Sequence, residues 1–225
     1  LETSLDRMGA LGAVSLTIPG PKMIWHFAEL GMENSFFTCN DGSVDTTSDA
    51  TPGDCKLDTK PQPQWVNNWQ SDPLRSQIFN TWSRINALKI NEAVFEGNYD
   101  ISSGSLTPKI YIWDDTLPST SLKNVMVLAN FDLTTQTITS NFPYTGIWYD
   151  LMDETGNTTL SVSNTDTPIS LAPGAFKIYG NQTASTFSTV DFLAEKTTEI
   201  FPNPAQDYFK INQSTTQVKI YNWLG

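Results

Sequence analysis

The sequence predicts an α/β segment followed by an all-β domain, and three observations carry that prediction. Apolar residues recur at helical spacing up to about Asn91, then at a period of two as far as Tyr179. Turn-forming residues punctuate the second part at short intervals. The composition agrees, because 12% aromatics with 13 Gly, 13 Pro and only 16% charged residues suit turn-rich β structure better than a helical bundle.

Leu1, Leu5, Met8 and Leu11 lie at helical spacing, and Gly9, Ala10, Gly12 and Ala13 would let that helix pack closely against a neighbour. Pro19 and Gly20 end it. Residues 22–27, KMIWHF, then read as a short buried strand whose far end carries His26 and, three residues further on, Glu29. A polar stretch of about forty residues follows, too long for a plain connector and therefore expected to be a functional loop. Asp72-Pro73 opens a second helix, with Asp as the N-cap and Pro in the first turn. Its apolar face is Leu74, Ile78, Trp82, Ile85 and Leu88. Helix, strand, long loop and helix form the repeating unit of an α/β fold.

Beyond Asn91 the candidate strands are 98–102, 109–113, 124–132, 136–142, 146–152, 158–162 and 175–179. Turns at 153–157 and at Pro173-Gly174 separate them, and this density of short strands reads as an antiparallel sandwich. Residues 181–197 form a linker containing Ser and Thr, and the tail 198–225 resumes alternation but is too short for its own core.

A net charge of −11 and a pI near 4.3 argue against nucleic-acid binding. No apolar run reaches the ~20 residues of a membrane span. The chain opens without Met or a signal peptide and stops inside an unfinished module, so it is expected to be a fragment of a longer polypeptide. Cys39 and Cys55 flank a polar loop and suggest a disulfide in an oxidising compartment, a closure that contributes about 3 kcal/mol in the loop-entropy model. Two free thiols are the alternative, whereas a metal site would need two further ligands from a chain with one histidine.

Three stretches carry a family resemblance. TIPGPKMIWHFAELG resembles the last barrel strand of the alpha-amylase family, glycoside hydrolase family 13. DPLRSQIFNTWSRINALK resembles its final barrel helix, and the strands closing in ISLAPGAFKIYG resemble its C-terminal β domain. Ala28 departs from the pattern, since the family often has Gly there. The resemblance implies that 1–91 is the C-terminal end of a (β/α)8 TIM barrel and that 92–180 is an amylase-type β-sandwich. It also implies a retaining α-glucan hydrolase working with an Asp nucleophile, a Glu general acid/base and a second, stabilising Asp. Those acids belong to earlier barrel strands, so none of the carboxylates in this chain inherits a catalytic role, and the isolated fragment is expected to be inactive. No cofactor is implied for these residues, with calcium left open for the parent enzyme. A catalytically inactive amylase-like surface glycan-binding protein is the alternative.

Barrel active sites lie at the C-terminal ends of strands, which would place His26 and Glu29 at the cleft rim. Glu29 would either hydrogen-bond sugar hydroxyls or tie down the loop backbone. Trp65 and Trp69 would either stack on a glucose face or plug the rim. His26 fits a hydrogen-bonded rim or core residue better than a catalyst. The acid pairs Asp114-Asp115 and Asp153-Glu154 are expected to be solvated turns, and the N-x-[ST] triplets at Asn157, Asn181 and Asn212 are frequent by chance in a Thr-rich chain.

The tail, IFPNPAQDYFKI followed by VKIYNWLG, resembles the C-terminal sorting domain of the type IX secretion system of Bacteroidetes, with Phe201, Pro202, Asn203 and Pro204 at its [FY]-P-N-P position. That resemblance implies contact with the type IX secretion machinery and a secreted or outer-membrane-attached location.

Overall fold

The computed structural model describes residues 2–33, 67–185, 200–201 and 210–211. The chain divides into two compact units, Leu1–Thr186 and Phe187–Gly225. In the second, β9 (Ile200–Phe201) and β10 (Lys210–Ile211) pair antiparallel, with Lys210 opposite Phe201.

Among the described residues, the first unit mixes two α-helices with antiparallel sheet. α1 (Glu2–Thr17) buries Leu5, Ala10, Ala13 and Leu16. Leu11, placed on the apolar face by its spacing, is exposed instead, because the buried stripe runs through the small residues. α1 crosses α2 (Pro73–Asn91) closely enough that a Cβ added to Gly12 would stand 2.4 Å from the Trp82 indole nitrogen. That nitrogen donates to the Met8 carbonyl at 2.7 Å, so the contact is both tight and hydrogen-bonded. α2 begins where its cap requires. The Asp72 carboxylate accepts from the Leu74 and Arg75 amides at 2.9 and 3.2 Å, and Pro73 follows in the first turn.

Eight strands follow in this unit: β1 (Asn98–Ser102), β2 (Lys109–Trp113), β3 (Asn124–Ala129), β4 (Gln136–Thr139), β5 (Gly146–Asp150), β6 (Thr159–Val162), β7 (Pro168–Leu171) and β8 (Phe176–Gly180). Six of them form one sheet in the order β1-β2-β3-β8-β5-β6, while β4 and β7 pair separately. One face of the large sheet buries Ile110, Ile112, Val125, Val127 and Ile178, and α1 packs on β3 and β8. The other face, through Met126, Leu128, Trp148, Val162 and Tyr179, shares a core with Ile138, Ile169 and Leu171 of the β4–β7 pair.

Strand β3 ends at Ala129, short of the predicted 132, because Asn130 turns the chain. Its buried amide donates to the Thr134, Leu171 and Ala172 carbonyls. Strand β7 was not among the predicted strands; it opens on Pro168 and spans only four residues.

The predicted buried strand over 22–27 is corrected by the structure. Residues 21–25 form no strand, and Met23, Ile24 and Trp25 are 79%, 38% and 51% exposed. Their composition is strand-like, but none of the described strands pairs with this segment to satisfy its backbone.

Candidate functional site

The exposed segment turns sharply at its end. His26 and Phe27 take consecutive positive φ values of 28° and 60°, a conformation costly for residues with a Cβ and one that persists only where surroundings enforce it. Backbone hydrogen bonds supply part of that enforcement. Ala28 N–H donates to the Trp25 carbonyl at 2.9 Å, while Leu30 and Met32 N–H both donate to the Phe27 carbonyl at 3.0 and 3.1 Å. A 3-10 turn, Ala28–Leu30, carries half-buried Glu29, and Gly31 closes it at φ 65°. Only glycine fits at 31, since an added Cβ would also meet Leu5 Cδ2 at 2.5 Å.

Arg75 supplies the rest. Its guanidinium is buried, with the residue 2% exposed, and donates to the Leu30 and Gly31 carbonyls at 2.9 and 2.6 Å. A second arm meets Glu33 Oε1 at 2.8 Å. Glu33 is about half exposed, so the carbonyl bonds rather than the ion pair are expected to hold the turn. Trp69, in the 3-10 turn Trp69–Ser71, lies under the guanidinium with 4.4 Å from its carbon to the ring centroid. The Trp69 ring also meets Phe27 edge-on at 6.3 Å, and Phe27 meets His26 edge-on at 5.0 Å. The start of α2 thereby grips the turn that follows the exposed segment.

Sequence reasoning placed His26, Glu29 and Trp69 in one region; the structure joins the His26 and Trp69 rings to the clamp through Phe27, and Glu29 sits in the 3-10 turn that the clamp holds. It missed Arg75. The signal was available, because Arg75 lies three residues before Ile78 on the stripe that continues through Trp82 and Ile85. A charged residue on a buried stripe needs partners, and here the partners are loop carbonyls. Trp65, Cys39, Cys55, Pro202, Asn203 and Pro204 lie outside the described residues, and of Phe201 only the backbone in β9 is described.

A cleft of about 400 Å³ lies elsewhere, between α1, α2 and the segment 173–177, with Asp6, Gln77 and Lys177 on its walls. Lys177 already donates to Asp150 at 2.7 Å. Among the described residues no three His, Cys, Asp or Glu side chains are grouped to hold a metal ion.

The acid pairs build turns. The Asp153 carboxylate accepts from the Thr155 hydroxyl at 2.7 Å and from the Thr155 and Thr158 amides at 2.9 and 2.7 Å. Those bonds, the Thr155 hydroxyl first, hold it below the usual carboxylate range. Asp114 is lowered the same way by Thr116.

No protein-family model matches the chain, and no curated protein matches it. Solved structures do. A point variant of AmyP in complex with maltotriose is 16% identical, with a TM-score of 0.59 over 80% of this chain and 35% of that one. AmyP in complex with maltose is 15% identical, with a TM-score of 0.58 over 81% and 35%. Type I pullulanase from Bacillus subtilis, complexed with maltose, is 14% identical, with a TM-score of 0.51 over 80% and 24%. The likeness is one of fold, and the chain spans about a third of AmyP.

Proposed function

We propose that this chain is the C-terminal part of an amylase-like glycoside hydrolase that acts on α-glucans. One observation carries the reading. The chain follows the fold of AmyP over four-fifths of its length, and AmyP was captured with maltose and, as a point variant, with maltotriose. On this reading α1, the segment 21–27 and α2 belong to the closing part of a (β/α)8 barrel, and the large sheet with the β4–β7 pair is the β-sandwich domain behind it. The exposed segment then gains its missing neighbours from the barrel's other strands.

The mechanism assigned to the whole enzyme is retaining. One carboxylate attacks the anomeric carbon while a protonated carboxyl gives its proton to the leaving oxygen. Both groups, and the stabilising Asp, would come from outside these residues. The clamp's part is positional: the Arg75 bonds and the strained His26–Phe27 turn fix Glu29 at the rim. Sorting through the type IX machinery by Phe201, Pro202, Asn203 and Pro204, a Cys39–Cys55 disulfide, export to the cell surface and a calcium ion in the whole enzyme complete the proposal.

The upstream reading frame tests it. Asp, Glu and Asp at the ends of the fourth, fifth and seventh barrel strands are expected there. Absence of that trio would replace the hydrolase with a glycan-binding protein of the same fold.

A further inference from the structure

The β4–β7 pair covers only part of the large sheet. Its core is shared with β3, β5, β6 and β8; of the described apolar residues of β2 only Tyr111 borders it, while Lys109 at the strand's start reaches the Thr139 carbonyl of β4. The same face of β1 and β2 continues past that cover. Directly paired residues share a face, so Asn98 and Trp113, Asp100 and Tyr111, and Ser102 and Lys109 all belong to it. Asn98, Asp100 and Ser102 are exposed, while Tyr111 and Trp113 are half-buried.

The aromatic groups here are ordered. The Tyr111 and Trp113 rings stack at 4.8 Å with 14° between their planes. The Tyr111 hydroxyl donates to Asn124 Oδ1 at 2.6 Å, and Asn124 Nδ2 donates to the Tyr144 hydroxyl at 3.2 Å. Tyr144, 41% exposed, rises from the β4–β5 connection and leans on Trp148 at 5.2 Å. Buried Asn124 thus ties the two tyrosines together, and little rotamer freedom remains to be lost on binding.

We infer that this shelf is a glycan-binding site, separate from the rim, that takes a short run of neutral sugar units. Flat apolar faces framed by amide, hydroxyl and carboxylate groups suit pyranose rings, which present C–H groups on one side and hydroxyls around the edge. The charge pattern sets the class further. Asp100 lies open on the shelf, and the neighbouring cation, Lys109, is engaged by the Thr139 carbonyl and Asn141. With a net charge of −11 on the chain, this pattern disfavours a polyanion and leaves a neutral polyol. That the sugar is an α-glucan rests on the proposed function; the shelf itself does not.

The test is gel-affinity electrophoresis and calorimetry of the 225-residue chain with maltoheptaose, soluble starch, cellopentaose and xylan. α-Glucan binding is expected, weakened tenfold or more in Trp113→Ala and in Tyr144→Ala. Tyr144 stands on an exposed connection, so its variant reports even where Trp113→Ala fails to fold. Tyr99→Ala, on the opposite face of β1, is expected to bind as the parent does. Binding that survives Trp113→Ala and Tyr144→Ala but is lost in Trp69→Ala places the sugar at the rim and overturns the shelf. Binding of cellopentaose or xylan alone, lost in Tyr144→Ala, keeps the shelf and overturns the α-glucan reading. No binding to any of the four overturns the shelf.

Discussion

Two stretches of this chain begin alike and end in different states. Lys22-Met-Ile-Trp25 and Lys109-Ile-Tyr-Ile-Trp113 each start on lysine and run apolar to a tryptophan. The second is strand β2, paired by β1 on one edge and β3 on the other, with Ile110 and Ile112 completely buried. The first lies beside none of the described strands and leaves Met23, Ile24 and Trp25 exposed. Local composition is nearly equal in the two, so the difference comes from the neighbours. A strand becomes a strand when both backbone edges find partners and one face finds cover. The first stretch has its order imposed from its end instead, by the turn that Arg75 grips.

The largest contrast is expected from matched truncations. Ile112→Ala should destabilise by about 2–5 kcal/mol, as deletion from a filled core does. Ile24→Ala should cost about 0.5 kcal/mol or less, because its side chain is already in water in part. Urea unfolding of both variants measures the difference. Equal losses would mean that 21–25 is covered in solution and that the contrast is wrong.

Arg75→Met comes next. It leaves the Leu30 and Gly31 carbonyls without their charged donor, a loss of about 2–3 kcal/mol. Amide hydrogen exchange should accelerate across 26–32 while β2 stays protected. Unchanged exchange there would remove Arg75 from its role as the clamp. Glu33→Gln should move stability far less, since its carboxylate is about half exposed.

How far the sequence foretold these features depended on how local each signal was. The Asp72-Pro73 start and the stripe Ile78, Trp82, Ile85, Leu88 are decided within one helix, and they are where the spacing placed them. Strands β1 and β2 likewise keep their predicted bounds, 98–102 and 109–113. Segment 22–27 was misjudged because pairing is a property of the partners, which no local pattern contains. Strand β7 escaped notice because four residues opening on Pro168 give two apolar positions, Ile169 and Leu171, too few to establish a period. Within the clamp, His26 and Glu29 drew notice at the far end of an apolar run, and Trp69 as an aromatic ring in the polar stretch ahead of α2. Arg75 was hidden because charged residues on a helix are mostly solvated, and the carbonyls that let this one be buried lie more than forty residues away in sequence.

Two buried tryptophans give a smaller test. Trp82 donates to the Met8 carbonyl between the helices, whereas the Trp148 indole nitrogen, inside the sheet core, has no hydrogen-bond partner among the described residues. Both substitutions to Phe lose similar ring area. Trp82→Phe should therefore cost about 1 kcal/mol more than Trp148→Phe. The reverse order in chemical denaturation would show that the helix crossing is not held by that bond.

The smallest effect concerns pH. Burial pushes the Tyr111 hydroxyl up to about 12, with the Tyr144 and Asp115 charges adding to it. Unfolded, the same group titrates near ~10. Between those values the folded chain holds the proton and the unfolded chain does not, so stability should fall as pH rises from about 10 to 12. Tyr111→Phe should flatten that part of the profile, and a slope unaltered by the substitution would assign the alkaline loss to other groups.

The proposed function is tested most directly by reducing-end release from maltooligosaccharides, run on the 225-residue chain and on the longer, barrel-containing polypeptide that this proposal requires. No release is expected from the first and turnover from the second, with the exposed 22–25 stretch becoming protected in hydrogen exchange. Hydrolysis by the 225 residues alone, or a longer polypeptide in which 22–25 stays unprotected and no sugar is released, would contradict it.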